Sequence, residues 1–273
     1  MPATIRDVLR TLTADPGRPR LTWYGPDGER IELSGAVLVN WVSKTTNLLV
    51  EELDAEAGTV VALDLPPHWR TLVWALSAWQ AGAEVRVVDG PDAPTGPPAP
   101  PADVVVTNTP GRWLGADGRR PARGDLVAVS LPALARRFDG ELPAGAIDAA
   151  SAVMTYADSL GYVTPTDTDA TALSGPAPNG PTPDRSDLRV AHGDLLPWAL
   201  AGTPDDAAPP ASARALVRTS EGALGTVALL RTCLQVWAAD GSVVVLAQTT
   251  ARELDADPER LARLVATERV TQT

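Results

Sequence analysis

One cysteine, Cys233, one lysine, Lys44, and two histidines, His68 and His192, are all that 273 residues offer of the side chains most used in covalent and metal chemistry. A lone cysteine excludes an internal disulfide framework and any site built from several thiolates, and the cytoplasm is the compartment that fits it. Two separated histidines leave a histidine-based metal site without a ligand set. A mechanism that needs a catalytic lysine has one candidate. The most apolar stretch, 222–239, carries Arg231 in its middle, and the N-terminus lacks the apolar core of a secretory signal, so neither membrane insertion nor export is expected. Basic runs are missing too. With a net charge of −11 the chain would repel a phosphate backbone, and nucleic acid is not an expected partner. No GxSxG elbow or Ser-His-Asp order gives a hydrolase a starting point.

What is present is an alternation of helical and extended patterns. Residues 5–12 space Ile5, Val8, Leu9 and Leu12 as one helix face, and Pro16-Gly17 ends it. The segments 20–24 and 30–33 flank Gly25-Pro26-Asp27-Gly28, which predicts a hairpin. Ser34 can cap a following helix with Val37, Trp41, Thr45, Leu48 and Leu49 on one face, and Lys44 near its polar side. Then come a strand at 59–65, a helix at 68–81 entered through Pro66-Pro67 and closed by Gly82, and a strand at 84–88; this order implies a right-handed parallel crossover. The proline-rich stretch 91–101 predicts an extended connection. Strands are expected at 103–107 and 125–130, a short helix at 131–138, and another at 146–158.

After a soft boundary near Pro165 the pattern continues. Strands at 170–174 and 188–191 bracket a loop, and a short helix covers 194–201. A strand at 214–218, a long helix at 222–239 and a strand at 242–247 follow. A last helix starts at Asp257-Pro258 and runs to 268.

The segment LTWYGPDGERIELSGAVLVNWVSKTTNLL, followed by TVVALDLPPHWRTLVWALSAWQAGAEVRVVD, resembles the opening of the adenylate-forming superfamily: acyl-CoA synthetases, luciferases and peptide-synthetase adenylation domains. There, a hairpin and helix precede a Gly-x-x-Val-Ala strand and a helix ending in Ala-Gly, here Ala81-Gly82. The stretch 237–245 and DPERLARLVATERVT are similar to a strand and helix end midway through the superfamily's large domain. PPHW and NWVSKTTNLL are similar to a family of short bacterial proteins related to AMP-binding enzymes. The resemblance implies an α/β fold of two subdomains, 1–165 and 166–273, with mainly parallel sheets flanked by helices, like a truncated N-terminal domain of those enzymes.

The departures bear on function. The superfamily's phosphate loop reads roughly Thr-Ser-Gly-Thr-Thr-Gly-x-Pro-Lys-Gly and surrounds ATP with N–H groups, hydroxyls and a lysine. Here Ser174-Gly175 is followed by PAPNGPTPDRSD, in which Pro176, Pro178, Pro181 and Pro183 each remove a backbone donor. Ser174, Gly175, Asn179 and Gly180, with His192 after the loop, are the cofactor-binding candidates that the resemblance implies. The cofactor itself is unassigned, with ATP or AMP the candidates, and no catalytic or metal-binding residue is assigned. The adenine, ribose and mobile-lysine segments of the superfamily would fall beyond Thr273.

These features predict a catalytically incomplete adenylate-forming-like protein acting as a ligand-binding or regulatory module. Its partner would be a small molecule, a protein or a second copy of the chain. Two alternatives stand beside it: a divergent carboxylate-activating ligase completed by a partner chain, and a structural interaction domain. An open groove between Ser174 and 214–218 would favour ligand binding, and a filled one an interaction role. Plainer readings accompany each feature. The loop is a surface turn, His192 a capping or packing group, His68 a helix-start residue and Cys233 a packing group. Trp41 and Trp74 are core, Trp69 and Trp79 are partly exposed, and the acid pairs Asp205-Asp206 and Asp255 with Asp257 are solvated.

Overall fold

Thr4 opens the first helix, α1 (Ile5–Thr13), by a reciprocal cap: its hydroxyl accepts from the Asp7 N–H at 3.2 Å, and the Asp7 carboxylate accepts from the Thr4 N–H at 3.2 Å. The computed structural model describes residues 3–90, 101–115, 124–177, 188–201 and 210–273. The expected extended connection at 91–101 therefore falls almost wholly outside the described residues, as do Asp205 and Asp206.

The hairpin forms as the turn cluster predicts, with β1 (Pro19–Tyr24) antiparallel to β2 (Arg30–Ser34). Ser34 accepts from the Val37 N–H at 3.3 Å and starts α2 (Gly35–Glu52). Its buried stripe differs from the expected one. Leu38, Val42, Thr45, Leu48 and Leu49 face inward, whereas Val37 is exposed and Trp41 half-buried, because the first turn lies at the rim of the core. Next come β3 (Val60–Asp64), α3 (Trp69–Ala81) and β4 (Glu84–Val87), a parallel crossover, and Gly82 ends α3 in the left-handed region. Every residue of α3 is buried. Trp69 and Trp79 are thus 2 % exposed, contrary to expectation, and the Trp79 Nε1–H donates to the Ala172 carbonyl at 2.7 Å. A helix packed on several sides hides even the residues that its own periodicity would place outward.

β5 (Val104–Thr107) and β6 (Asp125–Ala128) extend the sheet. The expected helix at 131–138 is instead a run of turns, and the carbonyls of Leu131, Pro132 and Ala133 accept from the buried guanidinium of Arg70. The expected helix at 146–158 is broken into a two-residue strand, β7 (Ile147–Asp148), one turn of helix, α4 (Ala149–Ala152), and a 3₁₀ turn. Asp148 enforces the break: its carboxylate caps α4 and also accepts from the Phe138 N–H. Then follow β8 (Thr171–Gly175), β9 (Leu188–Ala191), α5 (Leu195–Leu200), β10 (Arg214–Arg218), α6 (Gly222–Ala238) and β11 (Ser242–Leu246). A helix without a clear apolar stripe in the sequence, α7 (Gln248–Asp255), precedes α8 (Pro258–Thr267), which Asp257 caps as predicted.

Among the described residues the strands form two mixed, mainly parallel sheets flanked by helices, the α/β architecture that the sequence predicts. The larger has the order β7-β6-β5-β3-β4-β8-β9, parallel except for β9 at its edge, and the smaller the order β10-β11-β1-β2. Each sheet takes strands from both sides of Pro165. The smaller sheet is covered on both faces: Val243 and Val245 point into the main core, while Val244 and Leu246 point to a second cluster under α7 and α8.

Helix α6 touches β10 and β11 of one sheet and β4 and β8 of the other, so its apolar surface fills the space between them. Gly225 sets how closely it starts: a Cβ there would lie 1.8 Å from the Ser220 carbonyl oxygen. Gly225→Ala is expected to cost about 3 kcal/mol, the upper end of overpacking penalties, because that oxygen belongs to backbone and cannot rotate away. Urea unfolding checks this; a loss under about 1 kcal/mol would show that the helix start can shift freely. No helix among the described residues is long and apolar enough to cross a membrane.

Candidate functional site

In a parallel sheet the carboxyl ends of the strands are where ligands gather, because helix N-termini and loop N–H groups converge there. Ser174 and Gly175 lie at that edge, at the end of β8, and β8 runs beside β4 with Arg86 opposite Ser174. The chemistry at this edge is turned inward. The Ser174 hydroxyl donates to the carboxylate of Glu84, both side chains being buried, and Arg86 Nε lies 3.4 Å from the same carboxylate oxygen. A buried negative charge beside the first residue of the loop opposes a phosphate placed there.

Gly175 has φ +153°, and a Cβ on it would meet the Val87 carbonyl oxygen at 3.2 Å. Its glycine is explained by this close approach of two strands. A bulky substitution at Gly175 would consequently strain backbone before it blocked any ligand. Asn179 and Gly180 lie outside the described residues.

His192 is not brought to this edge. It follows β9, whose Leu188 pairs with Gly175 and whose Ala191 pairs with Thr171, so His192 lies about 13 Å along the strand from Gly175, at the opposite edge. Its Nε2 sits 3.1 Å from the Gly82 carbonyl oxygen and, facing an acceptor, carries the proton. Burial lowers the pKa of the ring, and the carbonyls of Gly82 and Ala83 partly oppose that.

Neighbouring features of the carboxyl edge are engaged in the same way, and composition and spacing did not signal them. Asp89, two residues past β4, accepts from the Ala223 N–H at 2.6 Å and so occupies the N-terminal turn of α6, the position that would otherwise attract an anion. Asp64, the last residue of β3, accepts from the Thr107 hydroxyl and the Trp113 Nε1–H, each at 2.8 Å. The Thr226 hydroxyl of α6 donates to the Leu65 carbonyl at 3.2 Å. Helix α6 thus packs against both β8 and β10, and its first turns bond to the residues that follow β3 and β4.

The lysine is engaged as well: Lys44 Nζ donates to the Tyr156 carbonyl at 2.5 Å. Cys233 is fully buried in α6, and desolvation raises its thiol pKa well above the ordinary range, which suits packing. Among the described residues no three His, Cys, Asp or Glu side chains are placed to share a metal ion. Two concavities there have charged side chains in their walls. One, open and of about 390 Å³, is flanked by Arg137, Phe138, Asp139 and Asp148, and its carboxylates already accept from the Ser130 hydroxyl and the Phe138 N–H. The other, of about 10 Å³, lies at the start of α3 among Trp41, Thr45, Trp69, Arg70, Trp74 and Ser130.

Comparison with known proteins places the chain. It is 32 % identical over 270 residues to a TIGR03089 family protein of Mycobacterium tuberculosis, an alignment that covers 96 % of this chain and 93 % of that one. The chain belongs to the TIGR03089 family. No family profile matches it. Its fold is that of the N-terminal domain of acyl-CoA synthetases. The inhibitor-bound N-terminal domain of FACL13 from Mycobacterium tuberculosis superposes with a TM-score of 0.67 at 14 % identity, covering 98 % of this chain and 62 % of that one. An acyl-CoA synthetase of Brucella canis superposes with a TM-score of 0.63 at 18 % identity, covering 89 % of this chain and 46 % of the synthetase. This TIGR03089 family member therefore spans about half the length of the synthetase. At such identities the likeness establishes the fold.

Proposed function

We propose that this chain is a catalytically incomplete protein of the adenylate-forming fold that serves as a ligand-binding or regulatory module and does not activate carboxylates itself. The observation that carries this reading is the internal use of Ser174: its hydroxyl, at the start of the phosphate loop implied by the resemblance, is bonded to a buried carboxylate, Glu84. Adenylyl transfer draws its rate from positioning and charge stabilisation of phosphates. Here Arg86, in register with Ser174, pairs with Glu84, and the chain's one lysine holds Tyr156. Asp89 contributes a second carboxylate at the N-terminus of α6.

The test separates turnover from binding. Purified protein is expected to release no pyrophosphate from ATP and magnesium with short-chain, long-chain or aromatic carboxylic acids, and to keep its melting temperature in millimolar ATP or AMP. Binding would be easy to detect, since ligand at a hundredfold excess over Kd adds about 2.7 kcal/mol and several degrees. Carboxylate-dependent pyrophosphate release overturns the reading. A dose-dependent rise in melting temperature without pyrophosphate release keeps it and makes the nucleotide the ligand of the module.

A further inference from the structure

Arg70 is 7 % exposed and has no carboxylate within salt-bridge distance among the described residues. Its Nε and Nη2 donate to the carbonyls of Leu131, Pro132 and Ala133 at 3.4, 3.0 and 3.3 Å, and Nη1, which has no protein partner, keeps contact with solvent. The guanidinium carbon lies 4.4 Å from the centre of the Trp69 ring and 5.6 Å from that of Trp41. The carboxylate whose field reaches it, Glu29, is committed elsewhere: one oxygen accepts from the Ala133 N–H and the other from the Trp23 Nε1–H, each at 3.1 Å. A buried cation whose hydrogen bonds go to neutral carbonyls, with its nearest carboxylate out of contact, is costly.

Beside it is a second unmet demand. Trp69 is 2 % exposed, and its Nε1–H is buried with no acceptor. A donor left in that state costs as much as a lost hydrogen bond, and native proteins fill such positions. Trp69 and Arg70 both line the cavity of about 10 Å³ at the start of α3, outside the carboxyl ends of β3 and β6. That volume admits about one water-sized group. Its walls carry donors and aromatic faces, and the Ser130 hydroxyl that shares them donates to Asp139 at 2.7 Å.

We propose that this cavity binds a halide ion, held between Arg70 Nη1 and Trp69 Nε1. One acceptor of unit negative charge meets both demands at once, by a charge-assisted bond to the guanidinium and a neutral bond to the indole. A divalent oxyanion is too large for the volume, and a cation is repelled. The inference goes beyond the proposed function and does not rest on it, because the cavity is built by α2, α3, α4 and the residues just after β6 and shares no residue with the Ser174 edge.

The three indoles of the cavity supply the readout. Bromide quenches tryptophan fluorescence, so titration of the full chain at constant ionic strength is expected to show a saturable component above the linear collisional one, competed by chloride. Acetate, larger than the cavity, is expected not to compete; competition by acetate would overturn the assignment of the site to a halide. Trp69→Phe keeps the ring and removes only the N–H, and is expected to weaken the saturable component about tenfold, the equivalent of one hydrogen bond in a dry site. Arg70→Met is expected to abolish it. Should that variant fail to fold, Trp69→Phe still decides. Linear quenching alone in the wild-type chain, with a water left to satisfy the indole, overturns the proposal, as does a saturable component unchanged in Trp69→Phe.

Discussion

Replacing Glu268 by alanine is expected to lower stability by about 3 kcal/mol, the lower end for removing one partner of a buried ion pair. Glu268 follows α8, and its side chain is 4 % exposed. One carboxylate oxygen accepts from the Tyr24 hydroxyl at 2.6 Å and Arg30 Nε at 2.9 Å, and the other from Arg214 Nη2 at 2.5 Å. Its backbone carbonyl accepts from Arg214 Nε at 2.5 Å. One residue therefore ties the end of α8 to β1, β2 and β10, across the face that α7 and α8 cover. Alanine leaves two guanidinium groups facing each other without their shared anion. The loss is held to the lower end because Arg30 is 41 % exposed and also reaches Glu32 at 2.6 Å. For a chain of this length about 3 kcal/mol corresponds to roughly 6–10 °C in Tm. Chemical unfolding of Glu268→Ala beside Arg30→Ala tests the account. If the two variants lose equally little, the clamp does not hold the helix.

Acidification is expected to weaken the fold in two stages, and His68 governs the first. His68 caps α3, its Nδ1 accepting from the Arg70 N–H at 3.2 Å, and its ring meets Trp23 edge to face with centroids 4.6 Å apart. Burial, aided by the adjacent Arg70 charge, pushes its pKa down to about 3. The native ring then refuses a proton that the unfolded chain takes up below about pH 6.5, so the unfolded state binds more protons and stability falls as the pH drops from about 6.5 to about 3. The slope approaches about 1.4 kcal/mol per pH unit, and the total has an upper bound of about 5 kcal/mol. His192, lowered in the same direction, adds to that slope.

Glu268 governs the second stage. Burial pulls its pKa upward, but the bonds from Arg30, Tyr24 and Arg214 outweigh that and hold it at about 2. Its contribution is present above about pH 4.5 and is lost as the pH falls toward 2, on the order of 2 kcal/mol after allowance for solvent around Arg30. His68→Asn, which keeps a capping acceptor, should flatten the fall between pH 6.5 and 4.5 and leave below 4.5 the part that Glu268 contributes. A stability curve with the same slope in that upper window as wild type would remove His68 from the account.

Much of this was legible in the sequence because it is local. Ser34, Gly82 and Asp257 fix helix ends through bonds within four residues, and the turn at 25–28 sets the hairpin. Motif resemblance located Glu268-Arg269-Val270-Thr271. In the structure that segment fastens α8 and the following residues to β10, through Glu268 and through the Thr271 hydroxyl that accepts from the Arg214 N–H.

The site was less legible. Glu84 and Arg86, two apart on one strand face, could have signalled a charge pair, but the partner that matters, Ser174, is 90 residues away. The separation of His192 from Gly175 required knowing that β8 and β9 pair antiparallel, so that residues near in sequence fall at opposite edges. The break of 146–158 at Asp148 depended on a backbone N–H from Phe138, outside that segment.

The sequence by itself determined the α/β class, the order of most of the elements and a stretch after Gly175 poor in N–H donors, since period, caps and proline chemistry act over a few residues. Only the tertiary structure decided which carboxylate meets Ser174, that α6 fills the space between the sheets, and that Trp69 and Arg70 face one cavity. Those outcomes depend on strand order and helix packing, which bring together side chains whose separation along the chain carries no local signal.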